Sequence, residues 1–328
     1  MNKLIILFMV LGLIYGGVAS TTPQERVSPE AIPDAVQGGT AMFNGDQPLN
    51  MQELGHRHVP IRQSQSPGMG FGDIPQEDQM IWQDYFQKRF PKVPKADFIN
   101  GVYAIDPVSR ANWEAIEEFP PYEMAVSNGE EMWNTPFANG KGYRDCFPDG
   151  PAVADKYPYW GRERGQVVTL PLAINECRAA NGEGALKYKK GPIADILSYI
   201  QFMSRGQLTK IEIPADDPRA LAAYEQGKHF YFARRGQLNF SCAHCHALNA
   251  GNLLRSELLS PALGHTTHFP IYRSKWGEMG TLHRRFFSCN KQVRAKPFKA
   301  QGEKYRNLEY FLTYMQNGLP LNGPGARK

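Results

Sequence analysis

Nothing in the 328 residues matches the run of roughly 20 apolar residues that a membrane-spanning helix needs; the longest, Leu4 to Tyr15, stops at about a dozen. Charge is also sparse, at 21% of residues with a net +5. There is no Lys/Arg run and no basic module interleaved with aromatics, so nucleic acid is not an expected partner. Cysteine is scarcest of all, at five residues, and an odd number leaves one sulfur over however the others are used. Against these shortages stand 42% hydrophobic and 12% aromatic residues, enough for a buried core and too many for a disordered chain.

Lys3, the apolar run to Tyr15 and the small residues ending Val18-Ala19-Ser20 form the pattern of an export signal cleaved near Ser20. The mature chain is therefore expected in the periplasm, where disulfides persist and haem is attached covalently. Residues 21–75 are rich in Pro, Gly, Gln and Ser and read as an extended arm, with His56 and His58 as loop residues. Helical periodicity begins after it. Met80, Ile81, Tyr85 and Phe86 share a face before Pro91, and Ser109 is placed to cap a helix carrying Trp113 and Ile116. Pro192 opens a stripe of Ile193, Ile196, Leu197 and Ile200 that closes near Gly206. Leu308, Phe311, Leu312 and Met315 make another, closed by Gly318 and Pro320.

The last two helices belong to a repeat. A shift of 112 residues lays Tyr157–Gly206 over Phe269–Gly318 without a gap, matching Pro158 with Pro270, Thr169-Leu170 with Thr281-Leu282 and Cys177 with Cys289. Two copies of one domain are expected, with the cut near residues 207–216. The fold expected is mainly α: a first domain over residues 76–210 and a second over residues 211–328.

Only the second copy holds Cys242-Ala243-His244-Cys245-His246, a C-x-x-C-H segment. Two thiols three residues apart on a helical turn reach the two vinyl groups of one haem, and the next residue, His246, ligates the iron. A zinc site would want a second ligand pair, and a redox dithiol would leave His246 without a role. In the first copy, Tyr143 and Phe147 stand where Cys242 and His246 would, so the expectation is one covalent haem c and a first domain that has lost its own. Its remaining cysteines, Cys146 and Cys177, are expected to form a disulfide.

Cys289 is then the sulfur left over. For the second axial position on iron, the sequence offers Met279, Met315, His265, His268, His283 and Cys289. Met279 as ligand would make the chain a simple electron-transfer cytochrome without covalent catalysis. Cys289 stands among Arg284, Arg285, Lys291 and Arg294, whose repeat mates are Leu172, Ala173, Ala179 and Gly182. Such a cationic surround favours a reactive thiolate and an anionic substrate.

Taken together, Phe240 to His246, Arg285 to Ala295 with Cys289-Asn290 and Val293-Arg294, Leu308-Glu309, and Asn317-Gly318-Leu319-Pro320 resemble the SoxA family of bacterial thiosulfate oxidation. Asn100 to Ala104 and Glu117 to Glu123 resemble the family's first domain. The resemblance implies two cytochrome c-like domains, a complex with the small haem subunit SoxX, and a sulfur-group transfer in which thiosulfate is joined oxidatively to a carrier cysteine on SoxYZ. It also implies a cysteine ligand to the catalytic haem, carried over onto Cys289 and often a persulfide, and a substrate arginine carried over onto Arg285. Some members keep a haem in each domain; Tyr143 and Phe147 mark this chain as a single-haem form.

Overall fold

The computed structural model describes residues 71, 72 and 74–327. The export signal, nearly all of the arm, and His56 and His58 lie outside the described residues.

Helix α1 (Pro75–Arg89) starts on proline, which has no N–H to leave unpaired, with Glu77 and Asp78 in its first turn and Lys88 and Arg89 in its last. Its inward face is Asp78, Trp82 and Phe86. Met80, expected on the apolar stripe, is exposed. The core decides this: the Trp82 indole packs edge-on against Phe86, Tyr231 and Phe311, so the helix turns that side inward. A kinked 3-10 stretch, Lys95–Ala104, leads to α2 (Pro107–Glu117). The cap of α2 is Asp106, not Ser109; its carboxylate accepts the Ser109 N–H.

The first half continues with α3 (Glu123–Asn134), the short α4 (Tyr143–Cys146), the antiparallel pair β1 (Tyr159–Gly161) and β2 (Gln166–Val168), α5 (Leu170–Ala180) and α6 (Pro192–Met203). Its core gathers Trp133, Tyr143, Phe147, Ile174, Ile196 and Ile200. The second half holds α7 (Pro218–Phe232), the hairpin β3 (Leu253–Leu254) and β4 (Glu257–Leu258), the antiparallel pair β5 (Ile271–Arg273) and β6 (Glu278–Gly280), α8 (Leu282–Gln292), α9 (Glu303–Met315) and β7 (Gly325–Arg327). The last strand runs parallel to β5 and sets Arg327 opposite Arg273.

The elements β1, β2, α5 and α6 recur as β5, β6, α8 and α9 at the spacing of the sequence repeat. Thr169 and Thr281 cap α5 and α8 in the same way, accepting the N–H of Leu172 and of Arg284. The helix crossings correspond too. A methyl group on Gly129 of α3 would lie 2.1 Å from the Asp195 carbonyl oxygen on α6, and one on Gly227 of α7 would lie 2.0 Å from that of Asn307 on α9. Glycine is needed at both because the backbones touch, with no room for a Cβ.

Two details depart from the sequence reading. Trp82, Phe86 and Phe98, assigned by sequence to the first domain, are buried in the second half's core with Tyr224, Tyr231, Phe232 and Phe311. The expected connector after Gly206 is pinned to the chain end rather than running free. Gly206 N–H donates to Leu321 O (2.8 Å), Thr209 N–H to Leu319 O (2.9 Å) and Gly318 N–H to Thr209 O (2.9 Å).

Candidate functional site

The C-x-x-C-H segment enters a helical turn that widens to π-type over His244–Leu248. Ser241 anchors its start: the Ser241 N–H donates to His244 Nδ1 (3.2 Å), and its hydroxyl lies 2.6 Å from the same nitrogen. His244, the spacer residue of the motif, is half-buried and folded back on Ser241. Cys242 and Cys245 are free thiols, both half-buried. Burial pushes the Cys242 thiol up to about 12.

His246 is oriented from the next loop. Its Nδ1 lies 3.0 Å from the Ser260 carbonyl oxygen, which can only accept, so Nδ1 carries the proton and Nε2 keeps its lone pair. Burial pushes His246 down to about 4, which holds the ring neutral. A neutral imidazole with Nδ1–H on a carbonyl and Nε2 bare is the form that ligates iron. With two thiols at the right spacing beside it, the residues fit haem c.

Helix α8 is fixed at both ends. At its start, the Thr281 hydroxyl donates to Tyr188 O (2.8 Å) and the Thr281 N–H to Lys189 O (3.1 Å), both in the first half. At its end, the Leu238 N–H donates to Val293 O (3.3 Å) from the loop that leads into the C-x-x-C-H segment. Arg285 and Cys289, one turn apart, share a helix face. Cys289 is close enough to act electrostatically on both Cys242 and Cys245. Arg285 acts on Cys245, His246 and His265. The Arg285 Nη1 is buried and has no hydrogen-bond partner among the described residues. These side chains surround one place.

The other side chains that the sequence offers as ligands pack in the core or have polar partners of their own. Met279 packs with Tyr122, Ala125, Ala194 and Ala326, a cluster that contains none of the C-x-x-C-H residues. Met315 is core. The His283 Nδ1 accepts the Gln301 N–H (2.9 Å), and its Nε2 lies 2.9 Å from a Glu309 carboxylate oxygen. The His268 Nδ1 faces the Ile99 carbonyl (3.1 Å). His265 stands beside His246, ring centroids 4.5 Å apart, with its Nε2 2.8 Å from the Ser260 hydroxyl. Cys289 remains.

The cationic cluster read from sequence disperses in space. Arg284 donates to a Glu278 carboxylate (3.0 Å) and to Met279 O (3.1 Å), and lies over Trp276. Lys291 and Arg294 are exposed. Of the four, Arg285 alone turns toward Cys245. Three arginines that sequence reasoning passed over come within electrostatic reach of residues of the site. Arg235 is near Cys242, and Arg273 near both Arg285 and Cys289. Arg327 is near His265 and His268. Only the parallel pairing of β7 with β5 brings Arg327 there, and no local sequence signal announces such a pairing.

This fold and site define a c-type cytochrome. A family model described as the SoxA/TsdA cytochrome c domain matches residues 128–208, the half without the C-x-x-C-H segment. The L-cysteine S-thiosulfotransferase subunit SoxA of Allochromatium vinosum is 73% identical over 254 residues, spanning 77% of this chain and 90% of that protein. The protein of the same name from Chlorobaculum tepidum is 53% identical over 251 residues, 76% of this chain and 87% of that one. The crystal structure of SoxXA from P. pantotrophus superposes with a TM-score of 0.60 at 30% identity, covering 66% of this chain and 84% of that chain. The chain belongs to the SoxA family.

Proposed function

We propose that the protein is the cytochrome subunit that conjugates thiosulfate oxidatively to a cysteine of a SoxYZ-type carrier, with Cys289 bearing the sulfur being transferred. The observation that carries this role is the placement of Arg285 and Cys289 on one face of α8, within electrostatic reach of the C-x-x-C-H cysteines.

Thiosulfate is a dianion, and the buried, unpartnered Arg285 Nη1 offers it a charge-assisted hydrogen bond. Held there, its outer sulfur forms a bond to the Cys289 sulfur, as thiolate or persulfide, and two electrons are released. When bound, haem c supplies the acceptor for those electrons, which pass on to a SoxX-type small cytochrome. The carrier thiolate then attacks the outer sulfur, taking the thiosulfonate and returning Cys289 to its starting form. In net terms the carrier thiol and thiosulfate give a carrier thiosulfonate, one proton and two electrons. His246 would hold the haem iron through Nε2 while Ser260 keeps its other nitrogen occupied.

One haem is attached, through Cys242 and Cys245. The first domain is read as a repeat of the second that has lost its haem: Tyr143 and Phe147 pack with Trp133 and Phe137 where the second half has its C-x-x-C-H turn. Residues 76–105 then belong to the first domain by sequence order and to the second by packing. The protein works in the periplasm, after loss of residues 1–20, as a heterodimer with its small cytochrome.

The test is thiosulfate-dependent mass gain on a purified carrier in the presence of the small cytochrome. Cys289→Ala should retain covalent haem on a denaturing gel and lose conjugation by at least about a thousandfold. Wild-type turnover in that variant would refute the covalent role.

A further inference from the structure

Arg273 enters the site from outside the segment that carries the family resemblance. It sits at the end of β5 with its side chain only 12% exposed. Arg285 and Cys289 both act on it electrostatically, and burial together with Arg285 disfavours its charge. One guanidinium nearly buried, and within its electrostatic reach another whose buried Nη1 has no partner among the described residues, favour an anion that both can face. The carboxylate that Arg273 does have is a poor fit. Glu257 approaches at 3.5 Å, long for a charge-assisted contact, and its side chain is 54% exposed. Glu257 belongs to β4 of the β3–β4 hairpin, whose Leu253 and Leu254 also face solvent.

The base of that hairpin is tied down where its outer part is not. Gly251 N–H donates to Leu259 O (2.8 Å) and Leu259 N–H to Asn252 O (2.9 Å). The next residue, Ser260, orients His246. The Glu257 side chain can therefore leave Arg273 without disturbing the ligand histidine. An exposed, long ion pair holds weakly. A small dianion that bonds Arg273 and Arg285 together replaces it with shorter contacts to two charges.

Building on the thiosulfate reading above, we propose that Arg273 is a second residue holding the substrate anion, and that Glu257 is its resting counterion, displaced as the dianion enters. Glu257 then also discriminates: a monoanion gains too little from two arginines to displace it, and a dianion gains twice.

Kinetics on the intact protein with its small cytochrome and carrier test this. Arg273→Gln should raise KM for thiosulfate roughly tenfold or more with kcat little changed, and Arg273→Lys should recover part of the loss. Glu257→Gln should lower KM. Calorimetric titration with sulfate, a dianion that does not react, should rank the same variants in the same order. Unchanged KM and unchanged sulfate affinity in Arg273→Gln would overturn the proposal. So would loss of haem or a moved haem midpoint potential with KM intact, which would assign Arg273 to the haem propionates. Arginine-dependent sulfate binding by a protein that conjugates nothing would sink the thiosulfate reading and leave the anion site standing.

Discussion

Near Cys146 and near Cys245 the chain makes a short helical turn, and the two turns carry different material. In the first half, Tyr143 and Phe147 are buried and stack with Trp133 and Phe137, and Cys146 is joined to Cys177 of α5. In the second, Cys242, Cys245 and His246 are half-buried, and the sulfur equivalent to Cys177 is the free thiol of Cys289. One half fills its interior with aromatic rings and a crosslink. The other leaves thiols and an imidazole within electrostatic reach of α8, which bears Arg285 and Cys289. On the proposed reading the halves do different work: the first contributes stability and, through Tyr188 and Lys189, a fixed start for α8, and the second carries the chemistry.

The comparison can be broken most severely at the C-x-x-C-H turn. Cys242→Ala combined with Cys245→Ala should abolish haem staining on a denaturing gel together with carrier conjugation, because no thioether can form. The matching change in the first half, Cys146→Ser with Cys177→Ser, should leave haem content and turnover per haem intact. It should still cost about 3–4 kcal/mol of stability on the chain-entropy account, read as a lower midpoint in thermal unfolding. Loss of turnover in that variant would mean that the halves do not divide the labour in this way.

The helix crossings test the likeness rather than the difference. Gly129→Ala and Gly227→Ala each force a methyl group onto a carbonyl oxygen. Each should cost roughly 2–3 kcal/mol in denaturant titration, and the two costs should be similar because the crossings are equivalent. The smallest expected effect lies at the seam. Asp217 caps α7, accepts the Trp160 indole N–H from the first half (2.8 Å), and is held below the usual carboxylate range by Arg219 first and Trp160 second. A depressed carboxylate stabilises the fold above its unfolded pKa, about 4, and that contribution fades as pH falls through the folded value. Asp217→Asn should therefore lower the unfolding midpoint at pH 7, and its difference from the parent should shrink below about pH 4.

Much of the site was legible because its chemistry is local. C-x-x-C-H puts two thiols and a histidine within five residues, and Arg285 with Cys289 is a one-turn spacing that any helix places on one face. The stripes of α6 and α9 were equally plain, since Pro192 and the glycines at 206 and 318 mark their ends. Periodicity misled where the helix was short of apolar neighbours. On α1 the buried face turned on a single indole, and Met80 was left in water. The cationic cluster misled because charges adjacent in sequence point in different directions around a helix. Glu278 and Trp276, near Arg284 only in the folded chain, draw that side chain away.

By itself the sequence determined that one cysteine would be left over, that the C-x-x-C-H segment lies in the second half, and which sulfur and arginine stand one turn apart. Those are consequences of counting and of helical spacing, which need no partner from elsewhere in the chain. Only the tertiary structure decided that α1 completes the second core and that Met279 packs in a cluster apart from the C-x-x-C-H residues. It also decided that Arg273 comes within electrostatic reach of Arg285 and Cys289 with Glu257 across from it. These follow from strand pairing and helix crossing between residues far apart in sequence, where packing and desolvation, not local propensity, select the neighbours.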